Sequence, residues 1–309
     1  VENKLKDKIG SFKKLGIDAS MCWVASNVTS LEDESGYFLP VNQNLAQRVA
    51  QWFFFWRLSV PLEQYKIYNS IQIYLEGQSF DFLIFRYPVA DYFFWRLAKK
   101  FKGKIIFEHN TIEERELRLR LSGSFYFQYF FWSERLFGRR VRLLAAGLVG
   151  VTPEITNWQM ERVDGRIPGV TITNGIDVNR VSMRRGDPFL GEELRFLLLV
   201  GSPAPWHGVD VLVDSILRYE GKVRIHCYVA GNILPATKEK LKKVSAITLL
   251  PNQADDELNK LIDLCHIGIG SLGFENSFLT QASTLKVREY WSRGLPFILG
   301  YDDADLIDN

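Results

Sequence analysis

Lys286, Arg288 and Glu289 place two cations and a carboxylate within the stretch STLKVREYWSRGLPFILGY (residues 283–301), which reads as a helix entered from a short polar turn. A helix start leaves backbone N–H groups unpaired, and those expected around Ser283 to Leu285 would face an anion. A carboxylate one turn further in could accept from sugar hydroxyls, which backbone N–H groups cannot do. Gly294 reads as the left-handed stop of that helix, and Gly294-Leu295-Pro296 opens the apolar strand Phe297-Ile298-Leu299. On these residues alone, an ordinary amphipathic helix with a surface Glu fits the window equally well. A second cluster follows the continuous apolar run at residues 196–200: Gly201-Ser202-Pro203-Ala204-Pro205-Trp206-His207-Gly208, after which Val209, Leu212, Val213 and Ile216 mark one face of a helix. Strand, small-residue loop, helix is a phosphate-binding arrangement, although His207 also fits a loop histidine without a role. In the third cluster, Glu108-His109-Asn110-Thr111 ends the run Ile105-Ile106-Phe107, at the carboxyl end of a strand where open α/β sheets bind ligands. It reads as well as the cap of a helix over residues 112–121, with Thr111-Ile112-Glu113-Glu114 as a capping box.

These stretches resemble the retaining glycosyltransferases of the two-Rossmann (GT-B) type, in particular the glycogen-synthase-like, group 1 family. That family carries two glutamates eight residues apart before a G-x-P turn. The L-K-V-R-E-Y wording is similar to a bacterial branch that builds surface polysaccharides. The resemblance makes Glu289 the second glutamate, which holds the ribose of a nucleotide sugar, and puts Gln281 where the first would touch the donor sugar. An amide keeps acceptor capacity and adds donors but gives up the charge. Residues 170–177, ending Asn174-Gly175-Ile176-Asp177, resemble the N-G-[IV]-D element that closes the first domain; by itself an Asn-Gly pair is turn punctuation. The loop at 201–208 resembles the G-R-x(4 or 5)-K-G loop whose Arg and Lys neutralise the donor diphosphate. Ser202 and His207 stand in those places, which shifts charge compensation towards Lys286 or Arg288. With Gly201, Thr284 and Leu285 these residues make up the implied donor site. His109 resembles the histidine that the family sets near the reacting bond, with Glu108 and Asn110 on the acceptor side.

The implied activity is transfer of a sugar from a nucleotide diphosphate sugar to a glycan or lipid-linked glycan. It would be retaining by front-side attack, metal-independent and without a cofactor, in the cytoplasm or at the inner face of the membrane. The departures at Gln281, Ser202 and His207 keep a catalytically silent sugar-nucleotide or glycan-binding relative as the alternative. An epimerase on the same scaffold would need paired acidic or basic groups that the sequence does not supply.

The elements that must position these residues alternate. Strands are expected at 17–24, 81–85, 104–107, 147–151 and 170–173, and helices at 4–15, 45–58, 90–101, 124–139 and 153–161. Strands return at 196–200, 224–230, 247–250, 266–270 and 297–299. Such alternation predicts an α/β chain of two doubly wound parallel sheets, facing each other across a cleft in the GT-B arrangement. A length of 309 residues suits two domains, 1–177 on the acceptor side and 178–309 for the nucleotide sugar. The family's first strand before residue 4 and its β/α units after residue 301 lie beyond both ends, so the resemblance covers the central part of a longer enzyme. With 47% hydrophobic residues the chain is not disordered, and a net charge of +2 does not point to nucleic acid. Cys22, Cys227 and Cys265 are far apart in apolar runs and read as buried thiols, without zinc-type spacing. His226 and His266 lie in strand-like runs, where packing is their expected role.

Residues 84–142 carry 13 Lys/Arg against 6 Asp/Glu, a surplus of 13 − 6 = 7, interleaved with the aromatic runs at 92–95 and 125–132. The run at 52–56 has the same character. Taken singly, each run reads as core. Together with the basic excess they predict a peripheral membrane contact, none being long enough to span. A base-stacking nucleic-acid surface is disfavoured because no matching motif accompanies them.

Overall fold

A computed structural model describes residues 2–25, 32–33, 36–40, 56–121, 125–186, 189–201 and 204–306. The chain divides into two compact units, Val1–Ile172 and Thr173–Asn309.

The first unit begins with helix α1 (Glu2–Lys14) and a small sheet of order β1-β3-β2, built from β1 (Cys22–Ala25), β2 (Glu32–Asp33) and β3 (Gly36–Pro40). The strand expected at 17–24 starts only at Cys22. The Ile17 N–H bonds back to the Phe12 carbonyl at 2.9 Å, holding this stretch at the helix end and out of the ladder. Most of the helix expected at 45–58 lies outside the described residues. Next comes α2 (Trp56–Glu76), whose pattern Pro61 interrupts, although its buried Val60, Tyr68, Ile71 and Leu75 keep helical spacing.

The main sheet of this unit is parallel, in the order β4 (Leu83–Arg86), β5 (Ile105–His109), β6 (Gly147–Gly150), β7 (Gly169–Thr171). Between its strands run α3 (Tyr92–Lys100), α4 (Glu113–Leu119), α5 (Phe125–Arg142) and α6 (Pro153–Glu161). Asp91 caps α3, accepting from the Phe94 N–H at 2.8 Å, and so turns Phe94, Leu97 and Ala98 onto the sheet. Ile105 and Phe107 of β5 are wholly buried between such layers. The capping box expected before α4 does not form. Its N-cap is Ile112, which supplies no side-chain bond, and Glu114 pairs with Arg162 at 3.2 Å instead.

In the second unit the parallel order is β10-β9-β8-β11-β13, from β8 (Glu193–Val200), β9 (Arg224–Gly231), β10 (Ile247–Leu250), β11 (Ile267–Ile269) and β13 (Phe297–Ile298). Helices α7 (Val209–Leu217), α8 (Pro235–Leu241), α9 (Asp255–Leu264) and α10 (Leu285–Ser292) connect them. A short pair, β12 (Gln281–Ala282) and β14 (Asp302–Asp303), lies beside α10 in sequence. The chain winds outward from β8 to β10, then returns to the other side of β8 with β11. The doubly wound order therefore has its switch point between β8 and β11, the place where open α/β sheets bind ligands.

The helix stop read at Gly294 is present. Gly294 takes φ +70°, its N–H bonds to the Trp291 carbonyl and that of Leu295 to the Tyr290 carbonyl, a Schellman termination. This end anchors Tyr290, wholly buried, whose hydroxyl donates to the Leu197 carbonyl and accepts from the Leu199 N–H, both at 3.1 Å. Helix α10 is thus pinned to the central strand of its sheet. The buried Cys227 and Cys265 are free thiols, pushed up to about 12 mainly by burial, and the side chain of Cys22 lies outside the described residues.

Candidate functional site

The loop after β8 and the loop after β11 meet at the switch point of the second unit. The Leu272 N–H donates to the His207 carbonyl (3.3 Å) and the Gly273 N–H to the Trp206 carbonyl (3.2 Å). Gly208 makes this approach possible: it takes φ +67°, and a Cβ there would lie 2.4 Å from the Gly273 nitrogen. No side chain caps α7 after Gly208, and none caps α10 after Thr284. Two helix starts in this unit therefore offer N–H groups to an anion. Thr284 spends its hydroxyl on Tyr301 (2.8 Å), and Leu285, the first residue of α10, is exposed.

The charge in this place comes from Lys286. Its Nζ lies 3.0 Å from Nδ1 of the buried His207, tying the first turn of α10 to the loop after β8. Burial lowers the Lys286 ammonium to about 7. The ammonium donates to the lone pair on Nδ1, so the two side chains share a proton and do not carry two charges. An arriving phosphate would favour the charged form of this pair. Ser271, two residues beyond β11, is buried with a hydroxyl that has no protein partner, a feature that sequence reading did not single out. Gly201 is exposed at the end of β8, its carbonyl accepting from Asn232 at 3.1 Å. Ser202 lies outside the described residues.

Three readings change. Glu289, read as a carboxylate free to meet sugar hydroxyls, is half-buried and already engaged: Arg293 holds its Oε1 through Nε (2.7 Å) and Nη2 (2.5 Å) across one helical turn. Lys286 and Glu289, three residues apart on α10, still share a helix face. Arg288 is unsuited to compensating phosphate charge because carboxylates already neutralise it. Buried, it binds Asp303 (2.7 and 3.2 Å), Asp305, the Ser283 hydroxyl (2.9 Å) and the Asn174 carbonyl (2.8 Å). Its role is to hold the N-G-I-D segment, since Asn174 also donates to Ser283 through its N–H (2.8 Å) and side-chain amide (2.5 Å). The third change concerns Arg142, described below. Gln281 is half-buried in β12, paired in register with Asp302.

In the first unit, His109 ends the inner strand β5 and is wholly buried. Its Nδ1 lies 2.7 Å from Glu113 Oε1, while Nε2 is buried without a hydrogen-bond partner. The next residue, Asn110, has an equally unpartnered side-chain oxygen, and Glu108 pairs with Lys8 at 2.6 Å. Burial pushes the Glu113 carboxyl up, but His109 and Arg142 outweigh it and leave it below the usual carboxylate range. Arg142, counted above in the basic surplus, is fully buried, pairing with Glu134 (2.6 Å) and Glu113 (3.0 Å) and lying over the Tyr87 ring. Glu134 was not singled out from sequence, while Glu113 was read as a capping-box residue and Arg142 as part of the basic surplus. The spacing of four between His109 and Glu113 was the available signal. Among the described residues, no group of three or more His, Cys, Asp or Glu could hold a metal ion.

Two parallel α/β units in series, the second doubly wound about a switch point between β8 and β11, match the GT-B class of fold, and the chain has that fold. Neither a family model nor a curated protein matches the sequence. Among solved structures it is similar to the apo form of the lipopolysaccharide outer core galactosyltransferase WaaB, at 14% identity and TM-score 0.61, over 96% of this chain and 76% of that one. It is also similar to sucrose-phosphate synthase from Thermosynechococcus elongatus (10% identity, TM-score 0.67, 96% and 74%). A third is an alpha-glucosyltransferase in complex with UDP (13% identity, TM-score 0.57, 96% and 76%).

Proposed function

We propose that this protein is a glycosyltransferase, retaining and metal-independent, that moves a sugar from a nucleotide diphosphate sugar to a glycan or lipid-linked glycan of a surface polysaccharide. The observation that carries this reading is the Lys286–His207 pair, set between an uncapped helix start and the loop at the switch point. The pair and the open N–H groups offset the leaving diphosphate's charge, which is the contribution expected of a site that works without a metal. In the second unit Glu289 accepts from the ribose and Gln281 contacts the donor sugar; in the first unit His109, with Glu108 and Asn110 beside it, contacts the acceptor. Solved structures of similar fold include a galactosyltransferase of the lipopolysaccharide outer core and an alpha-glucosyltransferase with UDP bound, which supports the donor class.

Glu289→Ala tests the ribose contact. Loss of a charged hydrogen bond costs about 1.5–3 kcal/mol, so affinity for the nucleoside diphosphate should fall roughly tenfold or more by calorimetry. Unchanged affinity would remove Glu289 from the site and leave its pairing with Arg293 as its whole role. The silent-relative alternative predicts nucleotide binding with no turnover from any donor.

The protein works in the cytoplasm at an anionic membrane surface in this reading. Among the described residues no helix is long and apolar enough to cross a membrane. The aromatic runs divide: Phe94 is core, whereas Trp132 (63%) and Leu136 (56%) stand exposed on α5 beside Arg135, whose guanidinium lies 5.4 Å from the Trp132 ring. Trp52 lies outside the described residues. Reversing Arg139 and Arg140, both exposed, should release the protein from anionic vesicles, at about 1 kcal/mol for each charge lost, while nucleotide affinity stays the same. Absence of sedimentation with such vesicles at low salt would assign the α5 surface to another partner.

A further inference from the structure

His109 is wired on one side only. Glu113 holds Nδ1 at 2.7 Å, and the opposite nitrogen, Nε2, is buried with no partner in the protein. An ionised carboxylate only accepts, so the hydrogen of this bond sits on Nδ1. Glu113 is not free to swing away. Its Oε2 accepts from Arg142 Nη2 and from Gln159 Nε2, both at 3.0 Å. Arg142 is fixed in turn by Glu134 Oε1 (2.6 Å), by the Gln159 carbonyl oxygen (2.5 Å) and by the Tyr87 hydroxyl (2.9 Å). Glu134 accepts the Ala90 N–H at 2.7 Å, and the Tyr87 ring lies 4.4 Å from the imidazole. All these side chains are buried. Packing alone would be served by apolar residues. A run of five polar side chains ending on one imidazole fixes instead which nitrogen carries hydrogen and which faces outward from the network.

We infer that Glu113, backed by Arg142 and Gln159, is a positioning residue that holds His109 in its Nδ1–H tautomer and presents a bare Nε2 to accept a hydrogen bond from a hydroxyl of the sugar acceptor. This rests on the transferase reading for the identity of the hydroxyl, and on the geometry alone for the tautomer.

Nitrogen-15 NMR of the imidazoles distinguishes protonated from bare ring nitrogens, and His109→Gln identifies the His109 signals by their loss. The wild-type protein, free of ligand, should show Nδ1 protonated and Nε2 bare. In Glu113→Gln an amide N–H faces Nδ1, so the tautomer should reverse, and kcat should fall tenfold or more with nucleotide affinity unchanged. A protonated Nε2 in the wild type overturns the inference without any variant, so misfolding of Glu113→Gln would not shield it. An unaltered tautomer in Glu113→Gln, or a reversed one with undiminished transfer, overturns it as well. A wild-type protein inert with every nucleotide sugar would count against the transferase reading, and the tautomer would still decide the role of Glu113.

Discussion

Replacing Lys286 with Met should weaken nucleotide sugar binding roughly 10- to 150-fold, the equivalent of one charge-assisted hydrogen bond of about 1.5–3 kcal/mol. The same lysine should make binding depend on pH in a definite direction. Burial lowers its free-state titration to about 7, because the ammonium loses hydration that His207 does not replace. A diphosphate favours the ammonium and so raises that titration in the complex. Affinity should therefore be full below pH 7, fall as pH rises through about 7, and be accompanied by proton uptake on the alkaline side. A nucleotide sugar is the right probe, since its doubly esterified diphosphate keeps a constant charge across this range. Lys286→Met should bind weakly and evenly at all these values. A wild-type profile that is flat between pH 6 and 8, values chosen to span the usual titration of histidine near 6.5 and this lysine, would remove the pair from the phosphate site.

The largest effect on stability is expected from Arg142. Its removal strands Glu113 and Glu134, both in the interior, and breaking a buried pair in this way costs about 3–5 kcal/mol. At the usual scaling for a unit of this size, Arg142→Met should lower its melting temperature by roughly 6–20 °C. Arg140→Met, two positions away in sequence and exposed, should change stability by no more than about 0.5 kcal/mol. Differential scanning calorimetry of the two variants makes the comparison. Equal shifts would mean that Arg142 is solvated and the network beneath His109 does not exist. The contrast also bears on the membrane reading, because a charge reversal at Arg142 would unfold the first unit rather than report on lipid.

The features legible in the sequence were those set by local chemistry. Gly294 stops a helix because the left-handed cap needs glycine there, and residues 196–200 form a central strand because an unbroken apolar run suits burial on both faces. The alternation of such runs with helical patterns was enough to give two parallel α/β units. Pro61 hid α2, since a proline in a helix breaks the signal that the buried spacing of Tyr68, Ile71 and Leu75 otherwise carries. In the site, the loop at 201–208 and the start of α10 were both read as candidate anion-binding places. Their meeting through Lys286 and His207 was implied by the family resemblance and not by the residues themselves, since it is set by the strand order that puts β11 beside β8. Arg288 illustrates the same limit: its carboxylate partners Asp303 and Asp305 come from a different element, and nothing local marks them as its partners.

Calorimetric titration of the protein with UDP, GDP, ADP and TDP sugars, wild type beside Lys286→Met, bears most directly on the proposed donor site. One nucleotide class should bind the wild type at a single site, with proton uptake at alkaline pH, and lose at least tenfold in affinity in the variant, in line with one charged hydrogen bond. Binding of none of the four, or binding that Lys286→Met leaves unchanged, would contradict it.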